Sequence, residues 1–106
     1  MMQTISVRFF ARKDRAIDEL LPVTMRIGLN RERINITTKI RVKESDWSME
    51  QGRIITITRQ ARLKNEQLEA FRVKAFECQR ELMNEGKPIT LENIKAKWFG
   101  ISTEKR

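Results

Sequence analysis

The chain has 106 residues, 40% hydrophobic and 34% charged, and its 22 lysines and arginines outnumber 14 acidic residues to give a net charge of +8. This length fits one domain with one modest core, the composition excludes wholesale disorder, and the charge suits a polyanionic partner. The single cysteine excludes an internal disulfide, and without histidine it cannot form a zinc-type site. The chain has no tyrosine, and no apolar run is long enough to span a membrane.

The first predicted strand is TISVRFFAR, from Thr4 to Arg12, which alternates between apolar and polar positions. The charged stretch KDRAIDELL that follows lacks a turn dipeptide, so it predicts a long connection or a short helical turn ending at Pro22. The second strand is VTMRIGL, with Pro22 at its start, where a missing N–H does least harm. Gly28 in this strand permits close approach of a ligand or relieves crowding in a twisted sheet.

The third strand follows a short turn of Asn30, Arg31 and Glu32, which makes strands two and three antiparallel neighbours. Its inward side chains are apolar apart from one threonine, and its outward side chains are polar. The inward set is Ile34, Ile36, Thr38 and Ile40, and the outward set is Arg33, Asn35, Thr37 and Lys39. We therefore expect a sheet over residues 4–43 with one apolar and one polar face.

A turn-rich loop, residues 44–57, is predicted next, with Trp47 as its core anchor. Residues 54–58 either pair as a further strand or lie along the sheet. A long helix is predicted from Thr58, its N-cap, to Glu85, before Gly86. Its apolar stripe is Ala61, Leu68, Phe71, Ala75, Cys78 and Leu82, widened by Phe76 and Met83.

A shorter second helix is predicted after Pro88, with Thr90 as its N-cap and Gly100 at its end. Leu91, Ile94 and Trp98 share one face of this helix. The predicted fold class is α+β: a three-stranded antiparallel sheet packed against a long C-terminal helix, with a short extra helix at the C-terminus.

The polar sheet face is unusual because its charged residues are all cations. A major groove about 12 Å wide admits a β-ribbon, and base edges there are read by arginine or lysine on guanine and by asparagine on adenine. This interpretation makes six residues of the face candidates for base reading: Arg8, Arg26, Arg33, Asn35, Thr37 and Lys39. An ordinary solvated face, a protein-interaction module for an acidic partner and a reader of double-stranded RNA stay open.

Six cations at the rim of this face are candidates for DNA phosphate contacts: Arg12, Lys13, Arg15, Arg31, Arg41 and Lys43. Phe10 is the apolar exception on the polar face. We favour a bulge that turns it into the core, and the alternative is an outward position against a thymine methyl or a sugar. Neither catalytic residues nor a cofactor is predicted, and we expect a cytoplasmic protein.

Four stretches carry a family resemblance: LPVTMRIGLNRERINITTKIRVKESDW, QGR, KNEQLEAFRVKAFECQREL and ITLENIKAKWFG. Together they resemble the N-terminal arm-type DNA-binding domain of tyrosine recombinases, specifically integrases of bacterial mobile elements or conjugative transposons. The family often has glycine in the turn that Asn30, Arg31 and Glu32 occupy here.

The resemblance implies that the sheet binds the major groove of arm-type sites in double-stranded DNA. It implies an arm-binding domain over residues 1–86, and a short helix within 87–106 that leads toward a core-binding domain. A catalytic domain with a tyrosine nucleophile follows in such proteins, and other integrase protomers are potential partners. Since this chain has no tyrosine, we expect it to be the non-catalytic recognition piece.

Overall fold

A three-stranded antiparallel sheet forms the first half of the computed structural model, which describes residues 4–100. Strand β1 is Ser6–Ala11, β2 is Leu20–Leu29 and β3 is Glu32–Lys43, with β2 in the middle. The predicted sheet is therefore confirmed. Residues 1–3 and 101–106, the ends of the predicted segments 1–86 and 87–106, lie outside the described residues.

The link between β2 and β3 is a tight two-residue turn. Leu29 pairs with Glu32, and the two residues between them, Asn30 and Arg31, have φ angles of 52° and 70°. Positive φ at both central positions defines a type I′ turn, whose twist matches that of the flanking strands. Asparagine adopts this left-handed conformation readily, whereas arginine does so at a cost in free energy.

The connection from β1 to β2 is more ordered than predicted. It begins with a 3₁₀ turn, Lys13–Arg15, and ends in a second tight turn in which Ile17 and Leu20 exchange backbone hydrogen bonds of 2.9 Å. Strand β2 consequently begins at Leu20. The prediction that Pro22 opens the strand is wrong: it is the third residue of β2 and lies at a register irregularity, a position where proline is tolerated.

Residues 44–57 contain a 3₁₀ turn, Glu44–Asp46, and a small antiparallel ribbon of β4, Trp47–Ser48, and β5, Arg53–Ile54. The predicted anchoring role of Trp47 is confirmed, because its side chain is buried. Of residues 54–58, Ile54 alone lies in a strand, and Ile57 is 96% exposed.

The turn of this ribbon lies beside β1. Gly52 has a φ of 64°, and a Cβ added there would stand 3.3 Å from the carbonyl oxygen of Phe9. The other side of the ribbon is tied to the long helix, because the Asn65 amide accepts from the backbone nitrogen of Ile54 and donates to its carbonyl oxygen, at 3.1 and 2.9 Å. The ribbon is thereby fixed between the sheet edge and the helix.

Two helices complete the fold, α1 at Arg59–Asn84 and α2 at Leu91–Phe99. Both predicted N-caps are confirmed: the Thr58 hydroxyl accepts from the nitrogen of Ala61 at 3.0 Å, and that of Thr90 accepts from Asn93 at 3.1 Å. Within residues 4–100, neither helix is long and apolar enough to cross a bilayer.

The core consists of two clusters of buried side chains, each of which combines residues of the sheet with residues of α1. The first cluster also includes Ile94 and Trp98 of α2, and Trp98 stacks on Phe71 with ring centroids 5.6 Å apart. The predicted stripe of α1 is buried or half-buried. Met83 does not widen it, since its side chain is 45% exposed; it follows Leu82 directly and points about 100° away around the helix.

Candidate nucleic-acid interface

The polar side of the sheet, here called the outer face, is organised in three cross-strand rows. The middle row contains Arg8, Arg26 and Asn35, which are direct partners across β1, β2 and β3. The row on one side contains Phe10, Thr24 and Thr37, and the row on the other contains Ser6, Gly28 and Arg33. The register thus brings five of the six predicted base-reading residues into adjacent positions, and the rows contain three cations and no acid.

Lys39, the sixth predicted residue, lies beyond these rows at a β-bulge. Thr24 pairs with Thr37 but Pro22 pairs with Arg41, so Val23 alone spans the interval that Thr38, Lys39 and Ile40 occupy on β3. Lys39 has a φ of 64° and an exposed side chain. The regular pairing of β3 with β2 therefore runs from Arg33 to Thr37 and is interrupted there, although side chains of β3 continue to alternate between buried and exposed.

Thr38 stabilises the bulge from the inside. Its hydroxyl donates to the carbonyl oxygen of Val23 at 2.8 Å and accepts from the nitrogen of Ile40 at 3.1 Å. Because a bulge interrupts the ladder, these backbone groups need other partners, and a buried hydroxyl supplies them. This explains why a polar residue, 5% exposed, stands among the inward isoleucines of β3.

Phe10 lies on the outer face, and the favoured prediction that a bulge turns it into the core is wrong. The pairing of β1 with β2 is regular through Phe10, so the strand alternation continues. The Cζ of Arg26 stands 4.4 Å from the centroid of the Phe10 ring, a cation–π distance. The Nε of Arg26 also donates to Oδ1 of Asn35 at 3.1 Å. No local sequence pattern indicates this cluster, because it depends on the register of three strands.

A hollow of about 400 Å³ opens on the outer face near the β2–β3 turn. Gly28 forms part of its lining, and a Cβ added there would stand only 2.9 Å from Oγ of Ser6 across the strands. Glycine at this position therefore relieves crowding inside the sheet and also leaves the hollow open. Its charged lining is Arg8, Arg26, Arg31, Glu32 and Arg33.

The predicted phosphate-contacting residues fall into two groups. Arg12 forms a double hydrogen bond with Asp14, at 3.3 and 3.0 Å, and Lys13 lies 2.7 Å from a carboxylate oxygen of Glu44. The hydrogen bond from Arg12 holds the pKa of Asp14 below its ordinary value and raises the pKa of Arg12. The other four of these six predicted residues, Arg15, Arg31, Arg41 and Lys43, have no acidic oxygen within 4 Å among residues 4–100.

One family model matches most of the chain. It is described as an Arm DNA-binding domain, and it matches residues 9–95. The match begins inside β1 and ends inside α2, so it includes all of β2, β3 and α1 and excludes Arg8. No curated protein and no solved structure matches the chain.

Proposed function

The chain belongs to the Arm DNA-binding domain family, the N-terminal arm-type DNA-binding domain of tyrosine recombinases and integrases, and we propose that its outer face reads sequence in the major groove. Membership supports binding of double-stranded DNA by an integrase-type module that is itself non-catalytic. The proposal adds three points: that binding is sequence-specific, that the sheet enters the major groove, and that the outer face makes the contacts.

The dimensions of the sheet support the major groove. Three strands about 4.8 Å apart span roughly 10 Å between the outer backbones, which suits a groove about 12 Å wide and deep enough to admit a β-ribbon. The minor groove of DNA, about 6 Å wide, and the deep, narrow major groove of an RNA duplex are too tight for such a sheet. The wide, shallow minor groove of an RNA duplex would not exclude the sheet, so the preference for DNA over double-stranded RNA is supported by the family and not by groove width.

The observation that carries the proposal is the row of Arg8, Arg26 and Asn35. These three side chains stand side by side on a face that exposes no acid in its three rows. Arginine and asparagine are the residue types that recognise base edges in the major groove. A surface evolved merely for solubility mixes charges of both signs.

The predicted contacts are divided by position. We assign base contacts to the outer face: Arg8, Arg26, Arg33, Asn35 and Thr37, with Lys39 at its end. Phosphate contacts are assigned to Arg15, Arg31, Arg41 and Lys43, while Arg12 and Lys13 contribute only when they leave Asp14 and Glu44. Such exchange is easy because exposed ion pairs are weak.

We also propose that the chain is the recognition module of a cytoplasmic site-specific recombinase of a bacterial mobile element. Core-binding and catalytic domains would follow on the same polypeptide, and other protomers would share the DNA. In this proposal residues 1–86 contain the DNA-contacting surface, and α2 leads toward the next domain. The proposed boundary at residue 86 separates roles and not packed units, because Ile94 and Trp98 of α2 are buried with sheet residues in the first cluster.

Selection from a library of randomised duplexes tests the proposal, followed by titration of the selected and a scrambled duplex at several salt concentrations. We expect a preference for the selected site of about 10³ or more. With about six phosphates contacted, the logarithm of the binding constant should fall with the logarithm of salt concentration with a slope near −5.

Two substitutions separate base contacts from phosphate contacts. Arg33→Ala should cost about 1 to 3 kcal/mol on the selected site alone, whereas Arg41→Ala should weaken all duplexes alike. Arg80→Ala on α1 removes the same charge away from the sheet and serves as the matched control. Equal affinity for an RNA duplex, or tighter binding to an acidic polypeptide than to DNA, would favour the rival functions instead.

A further inference from the structure

Two neighbours hold the Arg26 side chain in place on the outer face. Asn35 of β3 accepts a hydrogen bond from its Nε at 3.1 Å, and the Phe10 ring of β1 lies under its guanidinium at 4.4 Å. We infer that Arg26 contacts a guanine base and that Asn35 and Phe10 are positioning residues for it. This inference rests on the proposed function and changes the predicted role of Asn35, which was that of a base reader.

The hydrogen bond to Asn35 leaves the two Nη groups of Arg26 available for other partners. A guanidinium carries five N–H donors in a planar fork. Asn35 engages the donor on Nε, and in residues 4–100 it is the side-chain hydrogen-bond partner of Arg26. Four donors remain, on the two Nη atoms. Guanine presents two adjacent acceptors in the major groove, O6 and N7, and such a pair matches the two-pronged end of the fork.

The orientation of the Asn35 amide follows from the same contact. Arginine donates hydrogen bonds and accepts none, so Asn35 must turn Oδ1 toward Arg26. To read adenine, the amide would have to present both Oδ1 and Nδ2 to the base. Oδ1 has a second lone pair, but the bond to Arg26 already fixes the direction of the amide, so adenine could be read only in that one orientation. The structure thus favours support of its neighbour over direct reading by Asn35.

Phe10 restricts the position of the guanidinium, whose Cζ lies over its ring. A cation held over an aromatic ring loses less rotamer freedom when it binds, so the fork is partly pre-organised. Arg8 and Arg33 have neither a side-chain hydrogen bond nor a ring contact within the described residues. This difference singles out Arg26 among the three cations of the rows.

Selection from randomised duplexes by variants of the chain tests the assignment. The wild-type chain should enrich a site with guanine at one fixed position. Arg26→Ala removes the fork, and should reduce the guanine preference there by about 5- to 150-fold, whereas Arg26→Lys, which keeps the charge and a donor but loses the fork, should reduce it less. Arg80→Ala, which changes charge on α1, should leave the selected sequence as it is.

Two substitutions at position 35 separate positioning from reading. Asn35→Ala should weaken the preference for that same guanine by about 2- to 12-fold. Asn35→Asp keeps an acceptor for Nε, so it should retain the guanine preference although its charge lowers affinity for every duplex. Loss of an adenine preference at a different position in either variant would show that Asn35 reads DNA and would overturn the assignment.

The free protein provides a readout that does not depend on DNA. The Nε–H proton of Arg26 should show a ring-current shift from Phe10, which Phe10→Leu should abolish and Asn35→Ala should reduce. An identical resonance in all three proteins would refute the positioning role even if selection succeeds. A wild-type chain that enriches no sequence would refute the proposed function and the guanine contact together, while the NMR result would still decide whether Arg26 is held.

Discussion

Arg8 of β1 lies directly opposite Arg26 of β2 in the antiparallel register. Like charges in such a pair destabilise a sheet, and the adjacent rows contain no acid that would offset the repulsion. Locally unfavourable contacts such as this pair of like charges are expected at functional sites, because the binding partner supplies the missing interaction. A polyanion laid on the outer face would remove the repulsion.

The first prediction is that Arg8→Thr stabilises the free protein and weakens DNA binding. Removing the repulsion should raise the free energy of unfolding by about 0.2 to 1 kcal/mol at low salt, measured by urea denaturation. The gain should shrink at high salt, where exposed charges are screened. Arg53→Thr, an exposed arginine of β5, is the control without an opposing cation. A loss of stability in Arg8→Thr that persists at all salt concentrations would contradict the repulsion.

The second prediction concerns the bulge. Thr38→Val keeps the shape of the side chain but leaves the carbonyl of Val23 and the nitrogen of Ile40 without their partner. Because these groups are buried, the free energy of unfolding should fall by about 1 to 3 kcal/mol. Thr37→Val, on the exposed side of the same strand, should change it by less than about 0.5 kcal/mol. Equal effects of the two substitutions would show that the hydroxyl of Thr38 is unimportant.

The third prediction is that Arg31→Gly stabilises the fold. Arg31 has a φ of 70° in the type I′ turn, where glycine is favoured, so the free energy of unfolding should rise by about 0.5 to 1 kcal/mol. If Arg31 contacts a phosphate, the salt slope of duplex binding should also decrease by about one. The same substitution at Arg15, which has no positive φ, should give no gain in stability.

The fourth prediction uses the hollow on the outer face. Gly28→Ala places a methyl group 2.9 Å from Oγ of Ser6, and rotation of this hydroxyl should keep the loss of stability small. Duplex affinity should fall about tenfold, because the methyl occupies the contact surface. The double variant Gly28→Ala with Ser6→Ala removes the clash. Recovery of DNA affinity in the double variant would show that strain in the sheet, not filling of the hollow, causes the loss.

The fifth prediction concerns acid. Hydrogen bonds from Lys97 and then Lys87 hold the pKa of Glu85 below its ordinary value of 4.5. A lowered pKa in the folded state contributes stability above pH 4.5 that is lost as pH falls through the folded value. Glu85→Gln should therefore lower stability at pH 7 slightly and flatten its decline in acid, measured by urea denaturation across pH. An unchanged dependence of the free energy of unfolding on acid pH would mean that the ion pair of Glu85 with Lys97 of α2 contributes nothing to stability in solution.

Much of the fold could be predicted from local sequence signals. Strict alternation identifies the three strands, because successive side chains of a strand point to opposite faces. Capping threonines and following glycines gave the bounds of both helices to within a residue or two. The turn at Asp18 and Glu19 was not predicted, because glutamate stands where a type I′ turn that begins with aspartate usually has glycine.

The candidate site was harder to predict, because it depends on which residues become neighbours across strands. Alternation placed Arg26 and Asn35 on one face, but the hydrogen bond between them requires the register of β2 against β3. The position of Phe10 was misjudged because burial of an aromatic side chain is the usual outcome, and here a guanidinium covers the ring instead. The bulge at Lys39 preserved the alternation, so it left no trace in the sequence pattern.

The bulge also limits the length of DNA sequence that one copy of the domain can recognise. A bulged strand bends and twists, so β3 runs straight along a duplex only from Arg33 to Thr37, roughly 13 Å or about four base-pair steps. A four-base-pair sequence recurs by chance about every 250 base pairs, which is too often for it to identify a single site in a chromosome. We therefore expect several copies of the domain to bind repeats of the recognised sequence, and these copies together to distinguish one genomic site from others.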